Sequence, residues 1–313
     1  MESGNQSSGR EFILLGFSHL PQLKVLLFVI FLILYAVTLI GNLAIIMISW
    51  LDPCLHTPMY FFLTNLSFLD ICSTTTSMPN LLVNLLAEKR SISFIGCMVQ
   101  LHFFISVGGT ECVLLMVMAY DRYIAICQPL HYIMAMSKRL CTWLAVISWL
   151  AGFLNSLIQT IIISQLAFCH SNVINHYLCD IPPVLEIACG DAHITDVSVP
   201  IASFLLVMIP FLIILVSYIH IGMAVLRIPS AKGRHKAFST CTSHLTVVLL
   251  YFGTAIFMYT RPKANYSMER DRVVSLLYCA VVPMLNPVIY TLRNQEVRQA
   301  LGKVGSRMVP LMM

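Results

Sequence analysis

Residues Val25–Trp50, VLLFVIFLILYAVTLIGNLAIIMISW, contain no charged side chain. A helix needs a run of about 20 apolar residues to cross a bilayer, so this stretch reads as a membrane span. Six more follow: Pro58–Leu82, broken by Asn65 and Asp70; Cys97–Tyr120, containing Glu111; Cys141–Ile163, with Trp143 and Trp149; Val197–Leu226, with Pro210; Ala237–Thr260, with His244; and Val273–Leu292, with Pro283, Asn286 and Pro287. The expected fold is all-α, a seven-transmembrane helix bundle. Residues 1–24 form an N-terminal tail, 25–292 the membrane domain and 293–313 a C-terminal tail. The composition agrees, since the 313 residues are 58% hydrophobic and only 11% charged, against about 25% charged in average soluble domains. That excludes an ordinary soluble enzyme, a disordered chain or a small disulfide scaffold.

A net charge of +5, spread between apolar blocks, argues against nucleic acid as a partner. The polar N-terminal stretch lacks the basic and apolar regions of a removable signal peptide, so the first span is expected to serve as its own insertion signal. Orientation follows from three features. With the N-terminus outside, Lys and Arg divide roughly 11 inside to 8 outside. Asn5-Gln6-Ser7 is a glycosylation sequon in the N-terminal tail. Cys97, Cys169, Cys179 and Cys189 all fall on that same face, which suggests two disulfides in an oxidising compartment. Four cysteines allow three pairings, and spacing does not choose among them. Cys54, Cys72, Cys112, Cys127, Cys141, Cys241 and Cys279 read as reduced packing residues.

Ionisable groups inside spans need a reason, because burying them costs several kcal/mol. Asp70 lies near the middle of the second span. Glu111 lies 11 residues before Arg122, so it too sits near mid-bilayer, while Asn42 and Asn286 come from spans one and seven. Two carboxylates and two amides could hold a sodium ion, a hard cation that takes oxygen ligands. The alternative is a structural network with one or both carboxyls protonated. Asp121-Arg122 closes the third span as either a plain interfacial ion pair or a switch. His176, Cys179 and Asp180 invite a metal reading, but a disulfide at Cys179 would leave no thiolate, and no metal is expected.

Several stretches carry a family resemblance. They are Leu55-His56-Thr57-Pro58-Met59-Tyr60, Met118-Ala119-Tyr120-Asp121-Arg122-Tyr123, Pro129-Leu130-His131-Tyr132, Ser217-Tyr218, Lys236-Ala237-Phe238-Ser239-Thr240-Cys241 and Pro283-Met284-Leu285-Asn286-Pro287. In this order and spacing they resemble an olfactory receptor. Gly41-Asn42 and Trp149 fit the wider rhodopsin-like G-protein-coupled receptor pattern. The resemblance implies disulfides Cys97–Cys179 and Cys169–Cys189. It implies an activation switch of Asp121, Arg122, Tyr123, Tyr218, Asn286, Pro287 and Tyr290. It also implies an inner face that receives a stimulatory heterotrimeric G protein and raises cyclic AMP, in the plasma membrane of olfactory cilia. The chain departs from the family where Tyr251-Phe252 reverses the usual Phe-Tyr order, putting Phe252 at the tyrosine's place, and where Thr291 replaces a serine.

By the same resemblance a small, mostly apolar volatile odorant would sit in the outer half of the bundle. Its lining would be Phe104, Ile105, Gly108, Gly109 and Cys112; Asn155 and Gln159; Ser203, Leu206 and Val207; and Phe252, Ala255, Ile256 and Tyr259. Residues 105, 108, 109 and 112 share one helical face. Gly108-Gly109 either frees space for a ligand or permits close helix packing. No charged residue stands where a counter-ion for an amine ligand would be expected. After Arg293 a short amphipathic helix is expected along the inner membrane surface, with Val297, Leu301 and Val304 on one face and Arg298 and Lys303 towards lipid headgroups. No catalytic pattern or phosphate loop marks an enzyme. A small transporter or channel, and a same-family receptor for a metabolite outside the nose, are the alternatives.

Overall fold

The computed structural model describes residues 11–17, 21–87, 90–169, 171–189, 193–259, 268–293, 297 and 300. Among these, seven long helices form the bundle: α1 (Lys24–Leu51), α2 (Pro58–Leu86), α3 (Phe94–Cys127), α4 (Lys138–Ser164), α5 (His193–Leu226), α6 (Ala231–Tyr259) and α7 (Met268–Leu276 continuing through Val282–Arg293). Asn5, the amphipathic face at Leu301 and Val304, and Arg298 and Lys303 lie outside the described residues. Val297 and Ala300 are described and buried.

Six of these helices are long and apolar enough by themselves to span a bilayer. The other, α2, carries Asn65, Ser67, Asp70, Ser73, Thr74 and Ser77 along its length, and all but Asn65 are buried. Its buried polar residues line the face turned to its neighbours, while Phe61, Phe68, Val83 and Leu86 are exposed on the other. α3 lies at the centre, touching α2, α4, α5 and α6. Its start is fixed by Ser93, whose hydroxyl accepts the Gly96 N–H, and Ser137 accepts the Leu140 N–H to start α4 in the same way. α3 and α4 meet at Gly152, where an added Cβ would overlap Thr110 and the Ser106 carbonyl.

Two helices contain a widened π turn: Phe204–Met208 in α5 and Leu277–Val281 in α7. Each ends two residues before a proline, Pro210 and Pro283. A proline offers no N–H and its ring presses on the carbonyl four residues back, here Leu206 and Cys279, inside the widened turn. Pro210 and Pro283 are therefore absorbed by a change of helical pitch.

Part of the N-terminal segment is built into the fold. Glu11–Leu14 (β1) pairs antiparallel with Ser91–Ser93 (β2) and parallel with Val173–Ile174 (β3), in register Phe12↔Ile92 and Ile13↔Val173. Its alternation places Phe12 and Leu14 inward, each 1% exposed. Phe12 meets the Phe168 ring edge-on at 5.4 Å. The long loop after α4 is also ordered, by β3, a short helix Ile181–Glu186 and the disulfides Cys97–Cys179 and Cys169–Cys189. The seven other cysteines are unpaired.

Replacing Gly152 by valine should force α3 and α4 apart and lower stability by about 1–3 kcal/mol. A reduced thermal midpoint of the purified protein checks this, and an unchanged midpoint would mean the two helices have room to spare.

Candidate functional site

A pocket opens in the outer half of the bundle between α3, α4, α5, α6 and α7. Phe104, Ile105, Gly108, Gly109 and Cys112 form its α3 wall, Asn155 and Gln159 its α4 wall, Ser203, Leu206 and Val207 its α5 wall, and Ala255 and Tyr259 its α6 wall. The two glycines have separate roles. Gly109 lies against Gly152 and Leu206, so its missing side chain serves close packing. The Gly108 carbonyl accepts a 2.8 Å hydrogen bond from the Tyr251 hydroxyl. Gln159 is held by Ser198, to whose carbonyl it donates at 3.2 Å.

Two expected residues do not border the pocket. Phe252 is fully buried against Phe211, with ring centroids 5.5 Å apart, and Ile256 packs into the central apolar cluster. One residue is about 100° of helical rotation, so the Tyr251-Phe252 order aims the tyrosine at α3 and turns the phenylalanine away. Tyr251, Tyr278, Ile181 and Glu111 line the pocket without having been named for it from sequence. The reversed dipeptide was the signal for Tyr251. One carboxylate, Glu111, therefore does reach the pocket, at its deep end.

The roof is built on the disulfide. Cys97–Cys179 ties the loop to the start of α3, and the Cys179 N–H donates to Gln100 Oε1 at 3.1 Å. The next residue, Asp180, is completely buried and accepts four contacts: Ile181 N–H at 2.7 Å, the Tyr259 hydroxyl at 3.1 Å to each oxygen, and the Tyr278 hydroxyl at 3.0 Å. Burial pushes its carboxyl up to about 6, against the opposing pull of the Ile181 N–H and the two tyrosine donors. His176 next door is held down to about 4, chiefly by burial. It accepts from Leu178 N–H at 3.2 Å and meets the Ser275 hydroxyl at 3.1 Å. His176, Cys179 and Asp180 are thus each committed to protein partners.

Below the pocket, α1, α2, α3 and α7 bring together Asn42, Asp70, Glu111 and Asn286, all buried. Asn286 Nδ2 donates to both Asp70 oxygens, at 3.1 and 3.0 Å. Pro287 has no N–H for the Pro283 carbonyl, and Asn42 Nδ2 donates there instead, at 3.1 Å. Gly41 lets α1 come this close, since a Cβ there would stand 3.0 Å from the Pro287 ring. Asn42 Oδ1, Asn286 Oδ1 and Glu111 Oε1 have no hydrogen-bond partner among the described residues. They are buried hard oxygen donors beside a carboxylate, a set that fits a small hard cation.

At the inner end, Arg122 Nη2 lies 3.3 Å from Asp121 Oδ2. The other carboxylate oxygen accepts from the Tyr132 hydroxyl at 2.9 Å. Burial and the negative charge of Asp121 hold that phenol above its usual range, so it remains a donor. Tyr218 is bonded to a His244 ring nitrogen at 2.7 Å and stacked on that ring, Tyr123 meets the His220 ring edge-on, and the buried Tyr290 hydroxyl has no partner among the described residues. His244 and Tyr132 were not given roles from sequence. A histidine inside an apolar span was the available signal for the first.

A family model described as olfactory receptor matches residues 31–307. The chain is 50% identical over 306 residues to human olfactory receptor 2G3, covering 98% of this chain and 99% of that protein. It is 51% identical over 304 residues to mouse olfactory receptor 5AP2, covering 97% and 96%. To human olfactory receptor 1F1 it is 48% identical over 309 residues, covering 99% of each. The chain belongs to the olfactory receptor family.

That membership makes the bundle a multi-pass membrane receptor of the G-protein-coupled class. The roof gives the receptor a pH signature. Asp180 titrates higher when folded than its ordinary value of 3.8, so the stability it contributes is greatest below that value. The contribution is lost as the pH rises through about 6. The thermal midpoint of the purified receptor should therefore decline over that window relative to an Asp180→Asn variant. Parallel curves for the two proteins would show that the carboxyl is not held as described.

Proposed function

We propose that this receptor binds a small, mostly apolar, neutral volatile odorant in the outer pocket and activates a stimulatory heterotrimeric G protein, raising cyclic AMP. The observation that carries the ligand class is the lining. Phe104, Ile105, Leu206, Val207 and Ala255 give apolar contact, while Ser203, Asn155, Tyr251 and Tyr259 offer a few polar groups. A pocket of that kind selects small molecules by shape and one or two hydrogen bonds. Phe104 stands high on α3, and Glu111 lies at the deep end, beneath the tyrosines, where it meets a polar terminus of the ligand rather than its body.

Activation works through the inner contacts. The Asp121–Arg122 pair, steadied by Tyr132, keeps the arginine folded against its own helix. Release of Arg122, with Tyr218 leaving His244 and turning towards Tyr290, opens the inner ends of α3, α5 and α6 to the G protein, and Asn286-Pro287 serves as the hinge. The site of action is the plasma membrane of olfactory cilia. The Asn42, Asp70, Glu111 and Asn286 oxygens hold a sodium ion in the resting receptor, supplying positive charge between two buried carboxyls.

The test is cyclic-AMP output in cells expressing the receptor with the olfactory stimulatory G protein, across a panel of volatiles, with surface expression measured. A dose-dependent response is expected that disappears in Arg122→Ala and shifts in potency by about two- to tenfold in Tyr259→Phe, the range for one lost hydrogen bond. Silence from a well-expressed receptor across a broad panel would overturn the volatile-ligand reading. Sodium is tested separately on purified protein. Replacing choline chloride by sodium chloride should raise the thermal midpoint of the wild type and leave Asp70→Asn unchanged, and an equal rise in both would remove the cation from the site.

A further inference from the structure

A second large groove lies at the inner end of the bundle, on its outer surface, between the last turn of α1 and the first turns of α2 and α4. It holds roughly 1500 Å³ of atom-free space including its open mouth. Its floor is apolar and buried: Leu55, Tyr60, Met136 and Cys141. Its membrane-facing lip is aromatic, with Trp50 76% and Phe61 38% exposed. At the end facing the cytoplasm stand Lys138, His56 and Thr57. The Thr57 side chain makes no capping hydrogen bond, and Lys138 forms no ion pair among the described residues. Among the described residues no carboxylate lines the groove.

We infer that this groove seats an anionic glycerophospholipid of the inner leaflet, with its phosphate on Lys138 and Thr57 and an acyl chain laid along Trp50 and Phe61. The charge arrangement selects the occupant. A cation and a hydroxyl at one end of an apolar trough demand a ligand that is anionic at one end and hydrocarbon at the other. A sterol brings no charge for Lys138, and a zwitterionic lipid brings no net negative charge to balance it. The groove opens at the leaflet where acidic lipids gather, and each basic side chain near such a surface contributes about 1 kcal/mol. Trp50 lies where tryptophan rings anchor membrane proteins, at the boundary between hydrocarbon and headgroups. Met136 follows the short helix Tyr132–Ala135 and lies in the groove floor. A lipid seated there therefore braces the segment whose Tyr132 holds Asp121.

The experiment uses delipidated full-length receptor in detergent and phosphatidylserine or phosphatidylcholine with brominated acyl chains, which quench nearby tryptophan. Phosphatidylserine should quench at about fivefold lower mole fraction than phosphatidylcholine, the equivalent of one favourable charge contact. Lys138→Gln should bring the two lipids level. Arg139→Gln, which removes an equal charge one residue away and outside the groove wall, should keep the preference. Trp50→Phe should abolish the phosphatidylserine-specific part of the signal. Equal quenching by both lipids in the wild type, or equal loss in Lys138→Gln and Arg139→Gln, would overturn the inference. So would displacement of brominated phosphatidylserine by cholesterol that is indifferent to Lys138→Gln, because it would assign the groove to a sterol.

Discussion

The carbonyl of Pro283 is the point on which the inner half of the bundle depends. Hydrocarbon offers no water to satisfy a stray backbone acceptor, so any group that a proline frees must find a protein donor. Pro287 frees this one, and the amide of Asn42 reaches it from α1 only because Gly41 presents no side chain to the proline ring. The neighbouring Asn286 then turns its own amide to Asp70. One missing N–H thus ties three helices together at mid-membrane and accounts for a glycine, two asparagines and an aspartate in spans that are otherwise apolar.

The seven spans were legible in the sequence because lipid imposes a length and a composition that few soluble segments meet. Their ends were less so. The first turns of α5 and α6 lie outside the apolar core and are set by local contacts. β1 was invisible, because four residues of alternating pattern in a polar tail look like any other short stretch. It becomes a strand only through partners 80 and 160 residues away in the chain, Ile92 and Val173. The expected pocket lining came from the family resemblance, with helical spacing adding only that residues 105, 108, 109 and 112 share one face of α3. It failed at Phe252, where a swap of adjacent residues rotates the tyrosine into the cavity and the phenylalanine out of it. The roof was missed for a related reason. Asp180 reads as one polar residue in a loop until the disulfide beside it places it against two tyrosines from α6 and α7.

Glu111 borders both the pocket and the polar network beneath it. α3 therefore carries Phe104 at the top, Glu111 in the middle and Asp121 and Arg122 at the bottom, and α2, α4, α5 and α6 pack against it. The packing of α3 against α4 through Gly109 and Gly152 keeps it from shifting sideways.

The widened turns in α5 and α7 have a geometric consequence of their own. Each holds one residue more than regular winding would, so the helix above it is rotated by about 100° from where uninterrupted winding would carry it. Leu206 and Val207 lie within one such turn and Tyr278 within the other. Loss of a single residue from either turn would swing that part of the pocket wall around its helix while the cytoplasmic half stayed in register. Chain length is thus a second variable, besides side-chain identity, by which a protein of this architecture can re-aim its outer surface without disturbing its inner one.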